Sequence, residues 1–187
     1  SKLLNELSEQ GVIINPSAKT LGIIKDKLGQ SEFLRKAGLP VADFIKVETK
    51  EDILEAGKQF GYPFLLKSRF AAYDGRGNAL IENEEDIEKG LNKLNGRKLY
   101  TERFVPFIKE LAVVAASSVN GKIAVYPVVE TVHKNNICHT VSMPAAVEKS
   151  VAKKAHDLAY KTIEHLAGAG VFAIEMFLTK EEEVIIN

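Results

Sequence analysis

The run Tyr73-Asp74-Gly75-Arg76-Gly77, directly behind "YPFLLKSRF", gathers chemistry-bearing side chains around one strand end, with Lys67 and Arg69 just upstream. Arg76 stands between two glycines, where a pliable backbone lets its guanidinium meet an anion through two parallel hydrogen bonds. Asp74-Gly75 equally suits a type I′ turn, with Gly77 relaxing a second bend, so a plain hairpin and a ligand loop are both open readings. Lys67 lies in an otherwise apolar run, where an ammonium either snorkels to water or pairs with an anion. Glu175 sits inside "FAIEMF", where a carboxylate needs a partner. A Mg²⁺ ion is one such partner and a lysine is another. Glu102 and Glu110 bracket "RFVPFIK", and Pro106 interrupts the strand, releasing backbone groups able to hydrogen-bond a planar base. The plain alternative is two solvated glutamates on strand edges, and His133 likewise admits a structural role.

Several chemistries are excluded. The sequence contains no G-x-x-x-x-G-K-[ST] and no G-x-G-x-x-G opening a helix, so neither a P-loop nor a Rossmann fingerprint is present. Cys138 beside His139 is too little for a zinc site. As neighbours on a strand they point to opposite faces, which argues against a nucleophile–base pair.

The elements that must hold these residues follow from periodicity and stops. Leu3, Leu4 and Leu7 have helical spacing. "VIINPS" reads as a short buried strand ended by Asn15-Pro16, and a helix is expected over roughly Ala18 to Lys36, before Gly38. Thr49 caps a second helix, with Asp52 at the capping-box position and Gly61 at its end. "YPFLLKSR" and "NALIE" are strands, "NEEDIEKGLNKLNG" a helix and "KLYTERFV" a strand. Beyond Pro106 long strands take over, "KELAVVAASSV" and "GKIAVYPVVETVHK", with Asn120-Gly121 as a two-residue hairpin turn. A long helix over about Glu148 to Ala167 precedes "VFAIEMFLTKEEEVIIN", read as two strands. The expectation is an α+β fold of two lobes joined near Glu102. Residues 25–101 form the smaller lobe and 102–187 the larger, with 1–24 left from a preceding domain.

With 187 residues, 45% of them hydrophobic, the chain can build one substantial core or two small lobes. Lys+Arg and Asp+Glu both number 25, and that balance argues against a nucleic-acid coat or a membrane surface. A single cysteine rules out an internal disulfide and suits a reducing, cytoplasmic setting. Both ends read as cut: the chain opens within a helical pattern and closes on a strand, so it is expected to be a fragment.

In order and spacing, "DKLGQSEFLRKAGLPV", "YPFLLKSR", "AYDGRGN", "TERFVPFIKELAV", "YPVVETVHKNNIC" and "AIEMF…VIIN" resemble N5-carboxyaminoimidazole ribonucleotide synthetases of the ATP-grasp class. The likeness covers essentially the whole chain and is strongest to the fungal form, the N-terminal part of a bifunctional phosphoribosylaminoimidazole carboxylase. It implies an ATP-grasp fold, with nucleotide held between the lobes. The implied activity is ATP- and bicarbonate-dependent carboxylation of aminoimidazole ribonucleotide in purine biosynthesis, through carboxyphosphate. ATP and Mg²⁺ are the implied cofactors, small molecules the partners, and a homo-oligomer is open for the full-length protein. By the same resemblance, Lys27 and Lys67 contact ATP phosphates, and Glu102, Arg103, Phe104 and Val105 recognise adenine. Glu110 holds the ribose, His133 and Asn187 belong to the nucleotide site, and Glu175 is a metal ligand. Tyr73, Asp74 and Arg76 bind the ribonucleotide, with Arg76 and Lys67 as catalytic groups. The sequence departs from bacterial relatives in having Ala71-Ala72 where they carry two glycines. The family's N-E-I-A-P-R-x-H-N-S-G-H run would begin at Asn187, so by this resemblance the fragment is expected to have little activity alone. Alternatives are another ATP-grasp carboxylate–amine ligase of purine metabolism, or a non-catalytic nucleotide-binding module.

Overall fold

The computed structural model describes residues 2–71 and 76–187. Tyr73 and Asp74 lie outside the described residues. The chain begins with α1 (Lys2–Glu9), α2 (Ala18–Lys25) and α3 (Lys27–Lys36). There follow β1 (Phe44–Val47), α4 (Lys50–Phe60), β2 (Phe64–Ser68), β3 (Asn78–Ile81), α5 (Asp86–Lys93) and β4 (Leu99–Arg103). The second half carries β5 (Phe107–Ser117), β6 (Ile123–Val125), β7 (Val129–Lys134) and β8 (Ile137–Ser142), then α6 (Lys149–Leu166), β9 (Gly170–Thr179) and β10 (Val184–Ile186). This is an α+β arrangement.

The strands form two antiparallel sheets. One is four-stranded in the order β1-β4-β2-β3; the other runs β10-β9-β5-β7-β8, with β6 paired to β5. Strand alternation gives each sheet one apolar face and one mixed face. In β2, Phe64, Leu66 and Ser68 are buried, while Leu65 and Lys67 point the other way. Phe64 and Leu66 join Ile53, Ile81, Ile87 and Leu94 in a core under α4 and α5. In β9, Ile174, Met176 and Leu178 pack with Leu111, Val113 and α6 residues such as Ala155 and Ile163. Burying each large apolar side chain contributes roughly 1.5–3 kcal/mol, so these two cores hold the sheets' inner faces. The opposite faces carry the charged residues.

Local expectations hold where the chemistry is local. Asp52 Oδ2 accepts from the backbone N–H of Thr49 at 2.8 Å, and Gly61 ends α4 at φ +74°. Elsewhere the structure corrects the reading. "VIINPS" is not a strand: it pairs with neither sheet, and Ile13 is 85% exposed. The helix expected over Ala18 to Lys36 is two helices, because Asp26 adopts an extended backbone (φ −99°, ψ 102°) between them. "GKIAVYPVVETVHK" divides into β6 and β7 around Pro127, which has no N–H for a ladder. The Asn120-Gly121 turn is a longer loop, closed by Ser118 N–H donating to Lys122 C=O at 2.9 Å, with Gly121 at φ +80°. Among the described residues no helix is long and apolar enough to cross a membrane.

Candidate functional site

Where the mixed faces of the two sheets look toward each other, they enclose a cleft of about 780 Å³. Lys27, Lys67, Glu102, Glu110, His133, Glu175 and Asn187 all line it, although they come from six different elements and the chain's last residue.

The four-stranded sheet contributes a buried ion pair. Lys67 stands opposite Tyr100 in the β2–β4 register and Glu102 opposite Leu65, so lysine and glutamate are diagonal neighbours on one face. Lys67 Nζ lies 2.7 Å from Glu102 Oε1, with both side chains only 13% exposed. Lys67 therefore neither snorkels nor waits unpaired; a carboxylate is its partner. Tyr100, buried beneath them, has its ring 5.9 Å from the ammonium. Burial, and then the negative charge of Glu102, push its phenol well above the usual tyrosine range, so it stays a proton donor.

Lys27 is the first residue of α3, and its ammonium makes no ion pair or hydrogen bond among the described residues. Burial, and then the nearby Lys67 charge, lower its pKa, only partly offset by Glu175 and Glu102. Two ammonium groups facing one cleft, one of them desolvated, make a place where an anion is stabilised.

The six-stranded sheet supplies the other wall. Glu110 sits opposite Thr131 of β7 and Phe177 of β9, and Glu175 opposite Ala112. His133 Nδ1 faces the Glu110 carboxylate across the β5–β7 pair. Glu102 and Glu110 are thus partnered groups in a cleft rather than solvated edge residues. Glu175 departs from its expectation in a different way. Alternation turns Ile174 and Met176 into the core and leaves Glu175 exposed on the cleft face, so its carboxylate needs no buried partner. Asn187 N–H donates to the Glu175 C=O at 2.9 Å, which places the two residues side by side.

Other expected residues lie outside the cleft lining. Arg103 pairs with Asp43 at 3.2 Å and lies over the Phe60 ring, and its N–H donates to the Asp43 C=O. Phe104 is partly exposed and Val105 buried, in the connection where the chain leaves one sheet for the other. Arg76 is exposed beside β3. Cys138 lines the cleft while His139 contacts Thr140, so the two are not partners.

Some site residues escaped the sequence reading. Phe107 and Phe177 stack at 4.5 Å between centroids, and with Leu80 they give the cleft an apolar wall. In sequence these were ordinary strand apolar residues; only the alternation of β9, which assigns Phe177 to the Glu175 face, pointed to them. Asp26, which lies outside the cleft lining but next to Lys27, was hidden inside an expected helix.

The oxygen donors suit Mg²⁺ only in part. Glu175 offers one exposed carboxylate beside Asn187, and no group of three His, Cys, Asp or Glu residues gathers among the described residues. That fits an ion also held by ligand phosphates, as Mg²⁺ commonly is, and not an all-protein cage.

Comparison with known proteins agrees with this geometry. The sequence matches the ATP-grasp domain family over residues 32–187. A phosphoribosylaminoimidazole carboxylase from Candida glabrata is 46% identical over 175 residues, which are 93% of this chain and 31% of that protein. A crystal structure of carboxyaminoimidazole ribonucleotide synthase from Aspergillus clavatus complexed with ATP has a TM-score of 0.93 and 38% identity, covering 98% of this chain and 48% of that one. The Aspergillus clavatus N5-carboxyaminoimidazole synthase in complex with ADP and 5-aminoimidazole ribonucleotide gives 0.91 and 36%, again over 98% and 48%. The chain therefore spans roughly a third of the fungal carboxylase and about half of the synthase chains. With most of its length matched and a cleft of this make-up between its sheets, the chain belongs to the ATP-grasp domain family.

Proposed function

We propose that the cleft holds ATP and that the protein carrying this chain uses it, with bicarbonate, to carboxylate 5-aminoimidazole ribonucleotide in purine biosynthesis. The observation that carries this is the convergence of Lys27, Lys67, Glu102, Glu110 and Glu175 in one cleft. The likeness to synthases solved with ATP, or with ADP and 5-aminoimidazole ribonucleotide, supports it. The two sheets act as the lobes, the four-stranded one largely within residues 25–101 as the smaller and the six-stranded one within 102–187 as the larger; residues 1–24 lead in from a preceding domain, and α2 and α3 pack on the larger lobe's core.

In this reading Lys27 and Lys67 meet the polyphosphate as two point charges on separate elements. Lys67 leaves Glu102 in part to do so, and Tyr100 keeps a proton donor near the carboxylate it vacates. The base lies by the apolar wall, with backbone groups of Glu102 to Val105 at its edge; Arg103 contributes through backbone, because its side chain is engaged by Asp43. Glu110 accepts from the ribose hydroxyls, and His133 fixes that carboxylate's orientation. Glu175 would hold the Mg²⁺ that accompanies the nucleotide, with Asn187 beside it in the nucleotide site. When bound, that ion neutralises charge developing on the phosphates.

Bicarbonate oxygen attacks the γ-phosphorus, the bond to ADP breaks, and carboxyphosphate forms. The ribonucleotide's N5 amine then takes the carboxyl carbon as phosphate departs and the amine loses a proton. On the family likeness, Tyr73, Asp74 and Arg76 bind this second substrate. The chain's share is positioning and charge stabilisation, with Lys67 and Arg76 read as the catalytic groups.

The test is ADP release by the full-length protein with bicarbonate, with and without 5-aminoimidazole ribonucleotide. Release that depends on the ribonucleotide and disappears in Lys67→Met supports the assignment. Release indifferent to it, or dependent on another acid and amine, moves the chain to a different purine ligase. Absence of any nucleotide effect leaves a non-catalytic module.

A further inference from the structure

Lys27 and Lys67 enter the cleft from separate layers, so the distance between their ammonium groups depends on how those layers are joined. α2 and α3 pack through Ile24, Phe33 and Leu34 against the core of the six-stranded sheet. Lys67 belongs to the four-stranded sheet. Between them lies a partly buried ion pair of matched shape. Arg69 Nε donates to Asp26 Oδ1 at 3.0 Å and its Nη2 to Asp26 Oδ2 at 2.5 Å, with each side chain 20% exposed.

The backbone around this pair is tied as well. Lys27 N–H donates to the Arg69 C=O at 2.8 Å, and Arg69 N–H donates to the Lys98 C=O at 2.9 Å. Asp26 also sits against the first turn of α3, so that a Cβ at Gly29 would lie 3.4 Å from its carboxylate. Asp26 thereby does two things: its extended backbone separates α2 from α3, and its side chain fastens the new helix start to the end of β2. Lys27 follows Asp26 directly and Lys67 lies two residues before Arg69. Neither Asp26 nor Arg69 lines the cleft.

We propose that the Asp26–Arg69 fork is a positioning device that sets the spacing of Lys27 and Lys67 for a nucleotide polyphosphate. This rests on the reading of the two lysines as phosphate contacts. The pair is internally neutral, so it adds little net potential to the cleft; its effect is geometric, and a bidentate fork fixes orientation where a single point charge does not.

The experiment measures Mg·ATP affinity by calorimetry, and KM for Mg·ATP and for 5-aminoimidazole ribonucleotide, in the full-length protein. The variants are Asp26→Asn, Arg69→Lys, Asp26→Asn/Arg69→Lys, Lys27→Met and Ala159→Gly, the last a buried change in α6, which lines no part of the cleft, that serves as a stability control. Each single fork variant is expected to weaken Mg·ATP binding about tenfold while the ribonucleotide KM stays within about twofold, and the double variant to be no worse than the poorer single. Arg69→Lys keeps the charge and loses the fork, so it separates geometry from electrostatics. The inference is overturned if Asp26→Asn and Arg69→Lys bind Mg·ATP within about twofold of the parent while Lys27→Met does not. It is equally overturned if Ala159→Gly, destabilised to the same degree, loses as much affinity, since the fork would then act only through stability. If Lys27→Met itself binds normally, the phosphate-contact reading has failed, whatever the fork variants do.

Discussion

Lys27 is held where a cation is disfavoured, and that has a measurable consequence. Its folded-state pKa lies below the unfolded value, so the protonated form weakens the folded chain at every pH below the folded pKa, and the penalty fades only as pH rises toward the unfolded value. Lys27→Met should therefore stabilise the nucleotide-free chain at neutral pH by about 1 kcal/mol, a rise of about 2–4 °C in Tm, while removing nucleotide binding. Thermal scans with and without Mg·ATP check both halves. Asp26 has the opposite sign. The Arg69 hydrogen bonds, and less strongly the first-turn N–H groups of Gly29 and Leu28, hold its carboxyl below the usual range. Its contribution is complete above the unfolded pKa of about 3.9 and is lost as pH falls through the folded value. Asp26→Asn should cost about 1–3 kcal/mol at pH 7, and the gap from the parent should close below about pH 4. Urea midpoints across that range would show it; a gap that persists at low pH would count against the ion pair as the cause.

At the scale of elements, close packing can favour a glycine for reasons other than backbone freedom. In α5, a Cβ on Gly90 would stand 2.8 Å from Ile81 Cδ1 and 3.4 Å from Leu66 Cδ2, both fully buried residues that would have to shift to admit it. Alanine normally gains about 1 kcal/mol over glycine within a helix, but overpacking a core costs about 1–3 kcal/mol. Gly90→Ala is accordingly expected to destabilise by about 1 kcal/mol net, visible as a lower urea midpoint with unchanged m-value. The same core explains why β2 presents Lys67 so firmly. Phe64 and Leu66 are anchored on one face, so Lys67 can only face the cleft.

For the whole molecule, a ligand spanning the cleft contacts both sheets and so stabilises them together. At a hundredfold excess of Mg·ATP over its Kd the added stability is about 2.7 kcal/mol, or a Tm rise of roughly 5–10 °C for a chain this size. Lys67→Met should abolish most of that rise without lowering the nucleotide-free Tm as far as a core substitution does. A Mg·ATP shift that survives this substitution would place the nucleotide elsewhere.

The sequence by itself determined the local elements and the parts list. Capping at Thr49, the stop at Gly61, strand alternation and the order of charged motifs are all encoded within a few residues of one another. It also carried the α+β class and the resemblance on which the site residues were named. What only the tertiary structure decided was pairing across the chain. That Lys67 meets Glu102, that Glu110 faces His133, and that Glu175 is exposed and not buried depend on sheet register, which joins residues far apart in sequence. Asp26 is the clearest case. Local periodicity ran one helix straight through it, because the arginine that holds its carboxylate and stabilises the break arrives from another sheet, beyond the reach of any helical pattern.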